Sequence, residues 1–171
     1  MKPAIPITII ALTALTGVAS ATSLMDLAHR WSFDNANDSV GTANASVNGT
    51  ASLIGGALIL PGGSPRTNNA TLPISSTISA ATSLTVETWF TMGTGSGDWG
   101  KVWMFGTSNT NYMDFTPRSG TNELNQISGS HKSDIGGAET NTRSATGTVI
   151  NFNQGYLGTV VYDSDADLIS L

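Results

Sequence analysis

Residues 83–91, Ser-Leu-Thr-Val-Glu-Thr-Trp-Phe-Thr, alternate along their whole length, with Leu84, Val86, Thr88 and Phe90 on one face of an extended chain and Thr85, Glu87 and Trp89 on the other. β-Branched and aromatic side chains dominate the stretch, which makes it the strongest strand in the sequence. After residue 26 no run of adequate length has the period of an amphipathic helix, and no internal repeat is evident. Shorter strand candidates are residues 27–33, 101–105, 112–116, 123–128, 146–152 and 156–162, punctuated by Gly, Asn and Ser. Residues 51–63, ASLIGGALILPGG, read as a hairpin turning at Gly55-Gly56, and residues 67–82 as a short strand and one helical turn. Many short strands with turn residues between them predict an antiparallel sandwich.

The chain's 171 residues suffice for one domain with a real core. Charged residues make up only 11% of it, and the seven basic residues never cluster, so no phosphate-binding stripe is present and nucleic acid is not an expected partner. With no cysteine, a disulfide framework, a thiolate metal site and a thiol nucleophile are all excluded. At the start, Lys2, the uncharged run 4–18 and Ala19-Ser20-Ala21 have the layout of a secretory signal peptide cut after Ala21. An uncleaved membrane anchor is the rival, weakened by Pro3, Pro6, Gly17 and several threonines. Cleavage would leave a secreted or surface domain, residues 22–171, beginning at Thr22 and not spanning a membrane. Losing Lys2 would take the formal charge from −5 to −6.

Chemistry-bearing residues are sparse. Glu87 has no carboxylate partner at i±2 or i±4, as glycoside hydrolysis from one strand would need. It is either a half-buried residue paired to Arg30 or His29, or part of a binding surface. Trp31, Trp89, Trp99 and Trp103 offer flat faces for stacking on sugar rings; for Trp31 and Trp89, on regular strands, the competing use is packing. Trp99 lies in the Gly-rich segment 93–103, GTGSGDWGKVW, which cannot easily bury it, so ligand contact there stands level with local packing. No motif demands a cofactor. If a metal binds, it is Ca2+, at Asp34 and Asp38, where oxygens are dense enough for a hard cation; the alternative is an Asx-rich turn. Asp163, Asp165 and Asp167 have the alternate spacing of a calcium loop, but Leu168 stands where such a loop needs Gly. His29 and His131 form no metal-binding pattern, and there is no G-x-S-x-G elbow.

Four pieces in order, LAHRWSFD with DSVG close behind, GGALILPG, SLTVETWF and GYLGTVVYDSDADLISL, resemble the laminin-G-like, concanavalin A-like jelly-roll domains of secreted bacterial proteins. The likeness runs over residues 24–171 and departs at Tyr156-Leu157-Gly158-Thr159-Val160, where that family usually has Trp-x-His-[IV]-[AV]. It implies an all-β, antiparallel two-sheet jelly-roll sandwich, with the terminal aspartates in the turn between two paired strands. It also implies further strands beyond Leu171, because a Tyr-x-[DN]-Gly turn is expected next. The function implied is non-catalytic recognition of a carbohydrate or surface glycoconjugate, or adhesion; the alternative is a purely structural surface or matrix domain, and a glycoside hydrolase is disfavoured. The residues expected to meet ligand are Trp99, Trp103, Glu87 and Trp89.

Overall fold

The computed structural model describes residues 10–15, 26–62, 67–106, 111–120, 126–132, 138–145, 150–163 and 168–171. In chain order these contain β1 (Ile10–Leu15), β2 (Asp26–Arg30), β3 (Ser46–Asn48), β4 (Ser52–Leu53), β5 (Leu58–Ile59), β6 (Asn69–Thr71), α1 (Ser75–Ala80) and β7 (Ser83–Thr91). There follow β8 (Trp103–Gly106), β9 (Tyr112–Thr116), β10 (Ser128–Lys132), β11 (Thr140–Arg143), β12 (Gly155–Asp163) and β13 (Leu168–Ser170). The architecture is sheet-dominated and antiparallel: among the described residues there are one five-stranded sheet, one four-stranded sheet and two two-stranded ribbons. No helix among them is long and apolar enough to cross a membrane. The chain divides into two compact units, one holding the described residues up to Thr91 with Gly155–Thr159, the other Met92–Gln154 with Val160–Leu171.

In the first unit the opening residues of β12, then β7, β1 and β2, lie side by side in that order. The alternation of β7 is realised: Leu84, Val86, Thr88 and Phe90 are buried, Thr85 and Glu87 half-buried, and Trp89 exposed. The Gly55-Gly56 hairpin also forms. Both glycines take positive φ, 61° and 72°, as a type I′ turn requires, and Ile54 and Ala57 exchange backbone hydrogen bonds of 2.9 and 3.2 Å between β4 and β5. β1 was not expected as a strand. It lies within the predicted leader and pairs with β2 on one side and β7 on the other.

In the second unit β8 to β11 form the four-stranded sheet in the order β11-β10-β9-β8. Trp103 and Phe105 on β8 are in register with Phe115 and Met113 on β9, and these residues make the sheet's apolar face. The next position of that face is Gly129 on β10, opposite Phe115; a Cβ there would meet Val160, Ile169 and Leu171 at 3.3–3.5 Å. The glycine is a recess into which β12 and β13 side chains settle, so a larger residue would displace them. Of the strand expected over 123–128, residues 123–125 lie outside the described residues, Gln126 and Ile127 are loop, and β10 runs from Ser128 to Lys132. The described end of the one expected over 146–152 is loop, anchored where the Asn153 N–H donates to the Met92 carbonyl at 2.7 Å.

Candidate functional site

The other face of the second unit's sheet is polar apart from the exposed Met104 on β8, which is in register with Asp114. Tyr112, Asp114 and Thr116 alternate with Met113 and Phe115 along β9, so they point away from the apolar side. Register places Ser130 opposite Asp114 and Ser128 opposite Thr116 on β10, with Asn141 and Arg143 opposite those serines on β11. The serine hydroxyls lie 3.3 Å apart, as residues on one face should. Asp114, Thr116, Ser128 and Ser130 are buried, while Tyr112 is half-buried and Glu139 and Asn141 are exposed. Polar side chains therefore form a floor and a rim.

Asp114 is 1% exposed, and burying a carboxylate so completely requires a partner. Lys101, just ahead of β8, supplies it: Nζ donates to Asp114 Oδ2 and stands 5.7 Å from the centre of the Tyr112 ring. Asp114 Oδ1 is buried with no hydrogen-bond partner among the described residues. Burial pushes the Asp114 carboxyl above the usual carboxylate range; the Lys101 hydrogen bond and charge work against this, and the Glu139 charge adds to it. Tyr112 donates its phenolic O–H to Glu139 Oε2 at 2.9 Å. Its pKa is pushed up to about 12 by burial first, then by the Glu139 hydrogen bond and charge and the Asp114 charge. The rim is thus held in place from beneath: Asp114 fixes Lys101, and Tyr112 and Glu139 fix each other.

The loop that delivers Lys101 also carries Trp99. Both uses left open for that segment meet in the indole, which packs locally and is 47% exposed. The backbone holding it is nevertheless fixed: Trp99 has φ 62°, its N–H donates to the Arg118 carbonyl at 2.8 Å, and Asp98 pairs with Arg118 at 2.8 Å. One edge of the indole rests on Gly120, where an added Cβ would stand 2.2 Å from Nε1 and 2.9 Å from Cε2. Gly120→Ala is expected to push the indole off its seat, shifting tryptophan fluorescence and costing about 1–2 kcal/mol in denaturant unfolding. An unchanged spectrum would mean that the ring finds the same environment without that contact.

The remaining candidates fall elsewhere. Trp103, expected at a ligand surface, is 6% exposed on the apolar face and stacks on Phe105 at 5.0 Å; it is a core residue, because the chain has already entered β8 when it reaches position 103. Trp89, for which packing was the competing use, is 45% exposed, whereas Trp31 is fully buried with Nε1 donating to the Ala43 carbonyl at 2.8 Å. Glu87 is half-buried on β7. Neither pairing expected for it, to Arg30 or to His29, forms: β1 separates β7 from β2 by about 9–10 Å, and His29 is engaged by Asp38 and Thr77.

Asp38 is also corrected. Its Oδ1 accepts the backbone N–H groups of Arg30, Val40 and Gly41, and its Oδ2 those of Ala43 and the His29 ring, at 2.6–3.1 Å. A carboxylate offers about four lone-pair sites, so this one has none left for a cation. Asp34 is exposed and lies beside Gly56, outside that set. Among the described residues no three or more His, Asp or Glu side chains are grouped to hold a metal. In the terminal acidic stretch Asp163 ends β12, and Asp165 and Asp167 lie outside the described residues. His29 also meets Thr77 Oγ1 at 2.9 Å, so Asp38, His29 and Thr77 are joined in a row that ties β2 and the 38–43 loop to α1.

No family model matches the chain, and no curated protein or solved structure is significantly similar to it. The likeness to laminin-G-like domains rests on the quoted motifs alone; at the level of architecture the chain is an all-β, multi-sheet protein.

Proposed function

We propose that this chain is an exported, non-catalytic recognition module of the jelly-roll type that binds a carbohydrate on the polar face of its second unit. One observation carries the reading: a sheet whose polar face buries Asp114, Ser128 and Ser130 carries a rim of Lys101, Tyr112 and Glu139 held by hydrogen bonds, with the exposed Asn141 opposite Ser130. A polyol asks for donors and acceptors already aimed, because ordering loose side chains at binding consumes affinity. Lys101 donates, Glu139 accepts, Asn141 does both, and the rings of Tyr112 and Trp99 supply apolar faces for the sugar's C–H surface. Asp114 acts as a positioning residue beneath Lys101. Binding to a glycan array, followed by calorimetry on the best hit, tests the reading. Asn141→Ala and Trp99→Ala, both at exposed positions, are expected to weaken binding about tenfold or more, equivalent to about 1.4 kcal/mol, with unchanged circular dichroism. An array without hits, or affinities untouched by both substitutions, overturns it.

A second reading, glycoside hydrolysis, draws on the same face, where the Asp114 carboxyl is pushed up and the Glu139 carboxylate is exposed, with Tyr112 interacting with both. That reaction needs two carboxyl groups, one of them raised so that it can act as the acid. Release of reducing ends from a bound glycan, abolished in Glu139→Gln, would favour it over recognition alone.

A further inference from the structure

β1 occupies a place between two strands that are otherwise not neighbours. All six of its residues are in register with Ser83–Thr88 of β7 without interruption, and on the other side Ala11, Leu12, Thr13 and Ala14 are in register with Arg30, His29, Leu27 and Asp26 of β2. Ala28 is passed over, so the irregularity lies in β2, and the inserted strand keeps a regular course. Ile10, Leu12 and Ala14 fall opposite Thr88, Val86 and Leu84, the buried positions of β7. Ile10, Leu12 and Ala14 thereby share one face of the sheet with those β7 residues, and Ala11, Thr13 and Leu15 share the other with Glu87, Thr85 and Ser83.

The same six residues lie inside the stretch read as a secretory leader. From this juxtaposition we infer that the space between β2 and β7 is a strand-accepting slot, and that Ile10–Leu15 is a separable donor strand that stays in it after the chain is cut between Ala21 and Thr22. The ladder hydrogen bonds explain why a cut need not empty the slot. Each residue of a central strand directs its N–H and C=O to one neighbour and those of the next residue to the other, so both flanking strands hold β1 without help from the covalent link. Emptying the slot would expose two facing strand edges, each with unpaired backbone groups. The carbohydrate site belongs to the other unit, so this inference stands apart from it.

The test uses the full chain with a site-specific protease sequence inserted between Ala21 and Thr22. The purified, folded protein is cut and then passed over a sizing column under native conditions, with hydrogen exchange followed on the amides of β2 and β7. The N-terminal fragment is expected to co-elute with the remainder, and those amides to keep their protection. A second chain carries Ala11→Pro and Leu12→Pro, which remove one N–H toward each neighbour; after the cut its fragment should separate, with exchange in β2 and β7 faster by about tenfold or more. Separation of the fragment from the unsubstituted chain overturns the inference, whatever the proline chain does. So does equal retention of the proline-bearing fragment, since the fragment would then be held by something other than strand pairing.

Discussion

Asp38→Ala is expected to lower stability by about 3–5 kcal/mol, because it removes in one step the acceptor for four backbone N–H groups and the partner of His29. An orphaned buried donor costs about 1–3 kcal/mol, and the lower end applies to the N–H groups of Arg30 and Val40, which sit in exposed residues that water can reach. Ala43 is buried and has no such recourse. Asp38→Asn should lose nearly as much, since an amide has one acceptor oxygen and presents N–H to N–H on the other side. Urea unfolding measures the loss, and hydrogen exchange locates it. The amides of residues 30, 40, 41 and 43 should lose protection well before those of β9 and β10. A loss under about 1 kcal/mol would mean that the 38–43 loop finds other acceptors at little cost.

The same geometry fixes a pH dependence. Burial works against ionisation of Asp38, but hydrogen bonds from Arg30, His29, Gly41 and Val40 outweigh it and hold the carboxyl well below the usual carboxylate range. The folded value is thus below the unfolded one of about 3.9, so the stabilisation is present above that pH and is lost as pH falls toward the folded value. Stability should decline below about pH 4, and Asp38→Asn should flatten that decline.

Asp38 was visible in the sequence as an oxygen-rich position, but its use was not. Four of the groups that surround it are main-chain amides, which leave no trace in a residue pattern. The turn at Gly55-Gly56 was legible because only glycine takes two successive positive φ angles without strain. Strand β7 was legible for the opposite reason: its side chains alternate in hydrophobicity, and burial follows that alternation directly. Strands β10, SGSHK, and β11, TNTR, carry no apolar side chain to signal a strand. Their place in the sheet depends on neighbours, and at Gly129 the apolar face is completed by residues of β12 and β13 that reach into the space. The polar site hid in the same strands. Its one sequence signal was Asp114 in YMDFT, a carboxylate on the same face as Tyr112 and Thr116 in a strand otherwise fit for a core, which demanded a cation that only the fold could name as Lys101. For β1, an apolar run that suits a leader also suits a central strand, and hydrophobicity alone does not separate the two.

That ion pair leads to the second large effect. Lys101→Met keeps most of the side chain's apolar length and removes the charge, leaving the Asp114 carboxylate buried and unpaired; the expected loss at pH 7 is about 3–5 kcal/mol. The sign of its pH dependence is opposite to that of Asp38. Burial raises the folded pKa of Asp114 above its unfolded value of about 3.9, so its ionisation subtracts stability progressively as pH rises through the folded value. Without Lys101 the carboxyl is raised further, and at pH 4 it takes up a proton in place of the missing cation. Most of the loss in Lys101→Met should therefore be present at pH 7 and absent at pH 4, where Asp38 is still ionised and the rest of the protein intact. Removing both charges separates the electrostatic part from packing. Lys101→Met with Asp114→Leu should recover most of the loss at pH 7, because a buried ion pair replaced by apolar side chains of similar volume is often neutral or stabilising. Urea midpoints of the three chains at the two pH values decide the matter. Equal losses in Lys101→Met at pH 4 and pH 7, with no recovery in the double substitution, would show that Lys101 acts through its packed aliphatic stem and that Asp114 does not depend on its charge.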